Sequence, residues 1–251
     1  MLPFQIKICG VTNVDDTVWA CKCGADAVGL NFYQRSKRFV DSQQASAIVS
    51  AIDVHNQEYG DSEKIGAKEL GVKKVGVFVE MPVTNLLDTV HRHGLDGIQL
   101  HGNEEPAIVE EIRSKLSENG QHCFLIRAIR SVPKELASSS ESKRQTAKLS
   151  EEIAIWGKVG VDVILLDAAM PGEYGGTGKL VDITNISDLN SKVPMVLAGG
   201  LTPCNVEASI QGSGLSAVDV ASGVESAPGL KDRKKVREFV HLAMKSFQEM
   251  K

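Results

Sequence analysis

Val161-Asp162-Val163-Ile164-Leu165-Leu166-Asp167-Ala168 is a short apolar run closed by an acid. It is too short for a helix and too uniformly apolar for a strand with one wet face. It fits a strand covered on both sides, as in a parallel sheet. Similar runs, rich in Val, Ile and Leu, stand at residues 6–11, 27–32, 72–79, 97–101, 123–129, 195–199 and 217–221. The stretches between them carry helix start signals. Asn13 or Asp15 can cap a helix through Lys22, and Asp41 can cap one over 43–52. Pro82 opens 83–92, Glu105-Pro106 opens 107–117, and Thr202-Pro203 precedes 204–210. Asp232 starts a last helix to about Met250, and the stretch before Gly157 also fits a helix.

Strand and helix alternating through eight units gives an α/β chain and a single (β/α)8 TIM barrel of parallel strands over residues 1–251. The 251 residues allow about 31 per unit, enough for a strand, a helix and two short loops. A doubly wound open sheet is the alternative. Two connections are long and polar, around 53–71 and 131–150; the second contains Ser138-Ser139-Ser140-Glu141-Ser142. Both read as surface insertions or helix extensions rather than domain boundaries.

Apolar residues are 42% and charged residues 24%, so disorder is excluded as the main state. No apolar run approaches the ~20 residues of a membrane span. Lys and Arg number 28 against 32 Asp and Glu, which does not suggest a nucleic-acid partner. Five cysteines, Cys9, Cys21, Cys23, Cys123 and Cys204, do not form a disulfide framework. The expected compartment is the reducing cytoplasm, with no signal peptide before residue 6.

In a closed barrel the chemistry sits at the C-terminal ends of the strands. The first run ends in Cys9-Gly10, the second leads to Arg35 and Arg38, and the fourth ends in Gln99-Leu100-His101-Gly102. The fifth leads to Arg127 and Arg130, the sixth ends at Asp167, and the eighth holds Asp219. Cys9 could accept a proton if its pKa falls from about 8.5; inert packing is the alternative. Asp167 is poorly explained by packing, since an unpaired buried acid is costly; a helix cap or loop ion pair is its alternative. Gly199-Gly200 and Ser222-Gly223 follow the seventh and eighth runs, where backbone N–H groups bind phosphate in many barrels.

Gly175-Gly176-Thr177-Gly178-Lys179 is not a Walker motif, because Leu180 stands where Ser or Thr is needed and Gly172 is misplaced. It reads as a loop that folds over a ligand. Cys21-Lys22-Cys23 places two thiols on different helix faces, so no metal is expected. His101 is ambiguous; the other five histidines read as surface residues, and the Lys/Arg series of the last helix as a solvated face.

Read together, these segments resemble a known family. Lys7-Ile8-Cys9-Gly10-Val11-Thr12, Ser36-Lys37-Arg38-Phe39-Val40, Gln99-Leu100-His101-Gly102-Asn103-Glu104 and Leu165-Leu166-Asp167 are similar to segments of phosphoribosylanthranilate isomerase of tryptophan biosynthesis. So are the segment from Tyr174 to Lys179, Leu197-Ala198-Gly199-Gly200-Leu201, and the segment from Val218 to Glu225. The resemblance implies a (β/α)8 barrel and an Amadori rearrangement. N-(5-phosphoribosyl)anthranilate becomes 1-(2-carboxyphenylamino)-1-deoxyribulose 5-phosphate, with no metal or organic cofactor. It implies Cys9 as general base and Asp167 as general acid. Arg38 faces the anthranilate carboxylate, Asp219 the sugar hydroxyls, and Gly176, Gly178, Gly199, Gly200, Ser222 and Gly223 the phosphate. The implied partner is this small phosphorylated substrate, and the implied state a monomer, with a dimer as alternative.

Ala221 departs from the family, where Ser is common, and the chain exceeds the usual length through its two polar connections. The sister isomerase of histidine biosynthesis carries Asp at the end of strand one, so Cys9 argues against it. Indole-glycerol-phosphate synthase would need a catalytic lysine on an early strand and an N-terminal extension. A non-catalytic scaffold barrel is opposed by the intact Cys9/Asp167 pair and glycine loops.

Overall fold

A computed structural model describes residues 2–60, 71–130, 139–167, 189 and 191–250. Its strands are β1 (Ile6–Cys9), β2 (Ala27–Asn31), β3 (Lys73–Phe78), β4 (Gly97–Leu100), β5 (Phe124–Arg130), β6 (Val163–Asp167), β7 (Met195–Leu197) and β8 (Val218–Val220). They pair in sequence order, and β8 returns to β1 to close the barrel. Every pairing is parallel; Lys7 on β1 stands in register with Ala27 on one side and Asp219 on the other. An open sheet is thereby excluded. A short antiparallel pair, β9 (Glu225–Ala227) and β10 (Leu230–Lys231), follows β8 and a 3-10 turn at Ser222–Val224.

Seven α-helices lie among the described residues: α1 (Val14–Cys23), α2 (Ser42–Gly60), α3 (Val83–His93), α4 (Ala107–Glu118), α5 (Ser139–Lys158), α6 (Val206–Ser213) and α7 (Arg233–Glu249). The helix expected between β6 and β7 falls outside the described residues. Asn13, not Asp15, caps α1, its side chain accepting from the Asp16 N–H at 2.8 Å. Asp41 caps α2 through the Gln44 N–H, and Asp232 caps α7 through the N–H groups of Lys234 and Lys235. Both long polar stretches are partly helical. The first begins inside α2, and the second ends inside α5.

Two expectations are corrected. Thr202-Pro203 does not open the sixth helix, which starts at Val206. Asn205 instead accepts from the Thr202 N–H and donates to the Gly200 carbonyl, so 202–205 forms a turn. His93 is buried, not on the surface. Its ring stacks on Phe32 at 5.8 Å, with the Ser42 and Ser46 hydroxyls each 3.4 Å from a ring nitrogen.

Alternating side chains along each strand divide the core in two. Ile6, Ile8, Val28, Leu30, Ile98, Leu125, Ile164 and Leu166 point outward against helix residues such as Ile48, Leu86, Ile112 and Phe239. Ala27, Val75, Ile126, Ala128, Val163, Leu165, Val196 and Ala198 point inward and plug the barrel together with Phe4 and Ala217. Both faces of each strand are dry, which is why the runs read as continuous apolar stretches rather than alternations.

Candidate active site

Following the inward positions toward the C-terminal ends, the apolar plug gives way to polar groups. One cavity at that mouth is lined by Cys9, Asn31, Arg38, Gln99, His101, Asp167, Gly199, Gly200, Asp219, Ser222 and Gly223, among others. Eight of the expected site residues are therefore in one place: Cys9, Arg38, Asp167, Gly199, Gly200, Asp219, Ser222 and Gly223. Gly176 and Gly178 lie outside the described residues. The arginines of β5 part company, because three positions along a strand reverse the face. Arg127 points outward, stacked over Trp156 at 4.4 Å and bonded to Glu104 and the Gly102 carbonyl. It does not reach the mouth. Arg130 donates to the His101 carbonyl and to Asn103.

Cys9 is 9% exposed, at the last residue of β1. Its neighbour across the sheet is Gly29, where a Cβ would stand 2.6 Å from the Cys9 sulfur. Glycine there makes room for the thiol. One pleat below, Lys7 is fully buried, and its Nζ donates to Asp219 Oδ1 at 2.9 Å. Burial pushes the Cys9 thiol up; the positive charge of Lys7 opposes this without cancelling it. The surroundings of Cys9 therefore raise its pKa rather than giving the fall that would make it a ready proton acceptor. Burial alone would lower the Lys7 pKa, yet Asp219, followed by Cys9, raises it overall, so Lys7 is an ammonium.

Across the barrel, Asp167 ends β6 and is 5% exposed. Its Oδ2 lies 3.2 Å from His101 Nε2, off the direction of a good hydrogen bond. Gln99 Nε2 lies 2.8 Å from His101 Nδ1. With the amide assigned as donor, the ring proton is on Nε2, the nitrogen nearer the carboxylate but not aligned with it.

Arg38 lies over Gly10, whose φ is +70° and where any Cβ would overlap the arginine stem. Its Nε and Nη2 donate to Glu225 at 2.8 and 2.7 Å. One edge of the guanidinium is thus already held, leaving the end-on edge for a ligand. Burial would raise the Glu225 pKa, but hydrogen bonds from Arg38 and the charge of Lys231 hold it below the ordinary carboxylate value. Gly199 and Gly200 both have left-handed backbone, with φ of 76° and 64°. At Gly223 a Cβ would overlap the Leu201 carbonyl oxygen, so the loops after β7 and β8 meet only because residue 223 is glycine. Lys7, Gly29, Asn205 and Lys231 were not anticipated as site-building residues. A lysine between Ile6 and Ile8 was the one available signal, since it had to point into the barrel.

The chain matches the family model of N-(5'-phosphoribosyl)anthranilate isomerase over residues 6–242. It is 37% identical to the N-(5'-phosphoribosyl)anthranilate isomerase of Rubrobacter xylanophilus over 239 residues, 95% of this chain and 98% of that one. It superimposes with a TM-score of 0.71, at 28% identity, on monomers generated from the dimeric phosphoribosylanthranilate isomerase of Thermotoga maritima, over 96% of this chain and 99% of that one. A phosphoribosylanthranilate isomerase solved with reduced 1-(o-carboxyphenylamino)-1-deoxyribulose 5-phosphate matches with a TM-score of 0.70, 28% identity and the same coverage. The chain belongs to the N-(5'-phosphoribosyl)anthranilate isomerase family.

Proposed function

We propose that this chain converts N-(5-phosphoribosyl)anthranilate to 1-(2-carboxyphenylamino)-1-deoxyribulose 5-phosphate, with Asp167 as general acid and Cys9 as general base. The observation that carries the roles is the placement of these two groups on β1 and β6, three strands apart around one mouth. Asp167 protonates the ribose ring oxygen, the ring opens, and the C1–N bond becomes a Schiff base. Cys9 takes the C2 proton, giving an enolamine that tautomerises to the ketone. One acid and one base on opposite sides of the sugar suffice. Cys9 has to take a proton although burial raises its pKa, and Lys7 supplies a positive charge beside it that opposes that shift.

Arg38 offers its end-on edge to the anthranilate carboxylate, while Glu225 holds the other edge. Asp219 meets the sugar hydroxyls. Gly199, Gly200, Ser222 and Gly223 take the phosphate through backbone N–H groups, joined by Gly176 and Gly178. Chain 1–251 acts as one barrel domain and as a monomer, with a dimer as alternative. Five free cysteines support a reducing compartment, the cytoplasm. Among the described residues no helix is long and apolar enough to cross a membrane.

The test is a steady-state assay on N-(5-phosphoribosyl)anthranilate with purified protein. Turnover abolished by Asp167→Asn is the expected result. Folded protein without turnover on this substrate would overturn the reading.

A further inference from the structure

Lys231, at the end of β10, is a buried lysine to which the acid–base scheme gives no role. Its side chain is 0% exposed. A buried ammonium needs acceptors around it to offset lost hydration. Three oxygens surround its Nζ: the Cys9 carbonyl at 2.7 Å, the Ala221 carbonyl at 3.0 Å and Glu225 Oε1 at 3.0 Å. Each acceptor belongs to a different part of the mouth. The Cys9 carbonyl is the backbone of the proposed base. The Ala221 carbonyl precedes the turn carrying Ser222 and Gly223. Glu225 grips Arg38 through two hydrogen bonds.

Its own N–H donates to Asp16 on α1 at 2.8 Å, so the β10 backbone is anchored as well. The β9–β10 pair thus lies as a strap joining the loops after β1, β2 and β8. Burial lowers the Lys231 pKa, and the charge and hydrogen bond of Glu225 oppose the shift without cancelling it.

We propose that Lys231 and Glu225 are positioning residues that lock the Cys9 backbone, the Ser222–Gly223 turn and Arg38 into one unit, so that a single buried ammonium sets both the base and the carboxylate-binding arm. The proposal rests on the site assignment made above. Without Lys231, the Glu225 Oε1 that it shares with Arg38 Nε loses one of its two donors, and Arg38 swings with the loosened carboxylate. The end of β1 loses the donor that fixes the Cys9 carbonyl. Displacements of about 1 Å at such groups cost up to about 10²-fold in rate.

The test compares steady-state kinetics of the parent, Arg38→Ala, Lys231→Met, Glu225→Gln and the Arg38→Ala/Lys231→Met double variant. Each is assayed at a temperature where circular dichroism shows it folded. Lys231→Met is expected to lower kcat and raise KM, each by about 10-fold. Glu225→Gln should raise KM chiefly, because it loosens Arg38 and leaves the Cys9 carbonyl bonded. In the Arg38→Ala background the KM effect of Lys231→Met should shrink to within about twofold, since the arm it positions is gone. A purely structural lysine would lower the melting temperature and leave both constants of the folded enzyme alone.

Folded Lys231→Met and Glu225→Gln with kcat and KM within about twofold of the parent, or full additivity in the double variant, would overturn the brace. If Lys231→Met does not fold, Glu225→Gln decides by the same KM criterion. Should Arg38→Ala itself leave KM unchanged, the site assignment falls and the brace with it. A raised KM in Arg38→Ala beside an unaffected Lys231→Met refutes the brace alone.

Discussion

The two sides of the barrel mouth are built differently. Around Cys9 the structure is interlocked: Lys7 on β1 is paired with Asp219 on β8, and Glu225 on β9 with both Lys231 on β10 and Arg38 in the loop after β2. Around Asp167, among the described residues, an imidazole stands at 3.2 Å, with an amide against its other nitrogen. Buried ion pairs contribute little net stability, because desolvation cancels much of their attraction. Three linked pairs beside Cys9 therefore point to geometry rather than stability. The base side is cross-braced by ion pairs, whereas the described part of the acid side sets an imidazole against the carboxylate.

The largest expected effect is on the acid side. Asp167→Asn keeps shape but cannot give up a proton, so it should remove nearly all turnover while leaving binding of a product analogue largely intact. Turnover above about a tenth of the parent rate would make Asp167 structural. On the interlocked side, Cys9→Ser or Cys9→Ala should lower kcat by at least about 10²-fold, with folding little changed by circular dichroism. Near-full turnover in either variant would remove Cys9 from the mechanism.

These effects fall on residues that could be picked out from the chain alone, and the reason is physical. Cys9, Asp167 and Asp219 are polar groups at or near the ends of strands otherwise buried on both faces, so each stands out against an apolar run. The barrel was legible for the same reason. Lys7, Glu225 and Lys231 were not legible as a network, because Lys231 meets the Cys9 carbonyl across 222 residues of sequence and only barrel closure brings them together. Arg127 and Arg130 looked alike as residues near a strand end. The strand's period of two sends one to the helix layer and the other to the opposite face, against the His101 carbonyl. Gly29 carried no signal, since its role is to leave space for a sulfur on the neighbouring strand.

A pH experiment sharpens the contrast. The Cys9 thiol is pushed up by burial, so its alkylation by iodoacetamide should remain slow at neutral pH and rise only above the ordinary thiol value of 9.0. Lys7→Met removes a charge that opposes the shift and should move the alkylation curve to still higher pH. A curve centred below that of a free thiol would show that the lysines, not burial, dominate. Because the folded pKa is raised, this thiol also makes stability fall as pH climbs past the unfolded value.

The smallest expected effect concerns Glu225. Its pKa is held below the ordinary 4.5 in the folded state, so its contribution to stability is present above that value and is lost as pH falls through the folded pKa. Glu225→Gln should lower the melting temperature above pH 4.5, where the ionised carboxylate contributes, and flatten the acid limb below it. An unchanged acid limb would mean that the Arg38 and Lys231 contacts do not favour the ionised carboxylate.

The division of labour between the two sides is tested most directly by the pH profile of kcat/KM, measured for the parent and for Cys9→Ser. With Asp167 giving a proton and Cys9 taking one, the parent profile should be bell-shaped, and the serine variant should lose the limb that belongs to the thiol. A parent profile with a single limb, or a serine variant that keeps both limbs unshifted, would contradict the assignment of Cys9 and Asp167 as the acid–base pair.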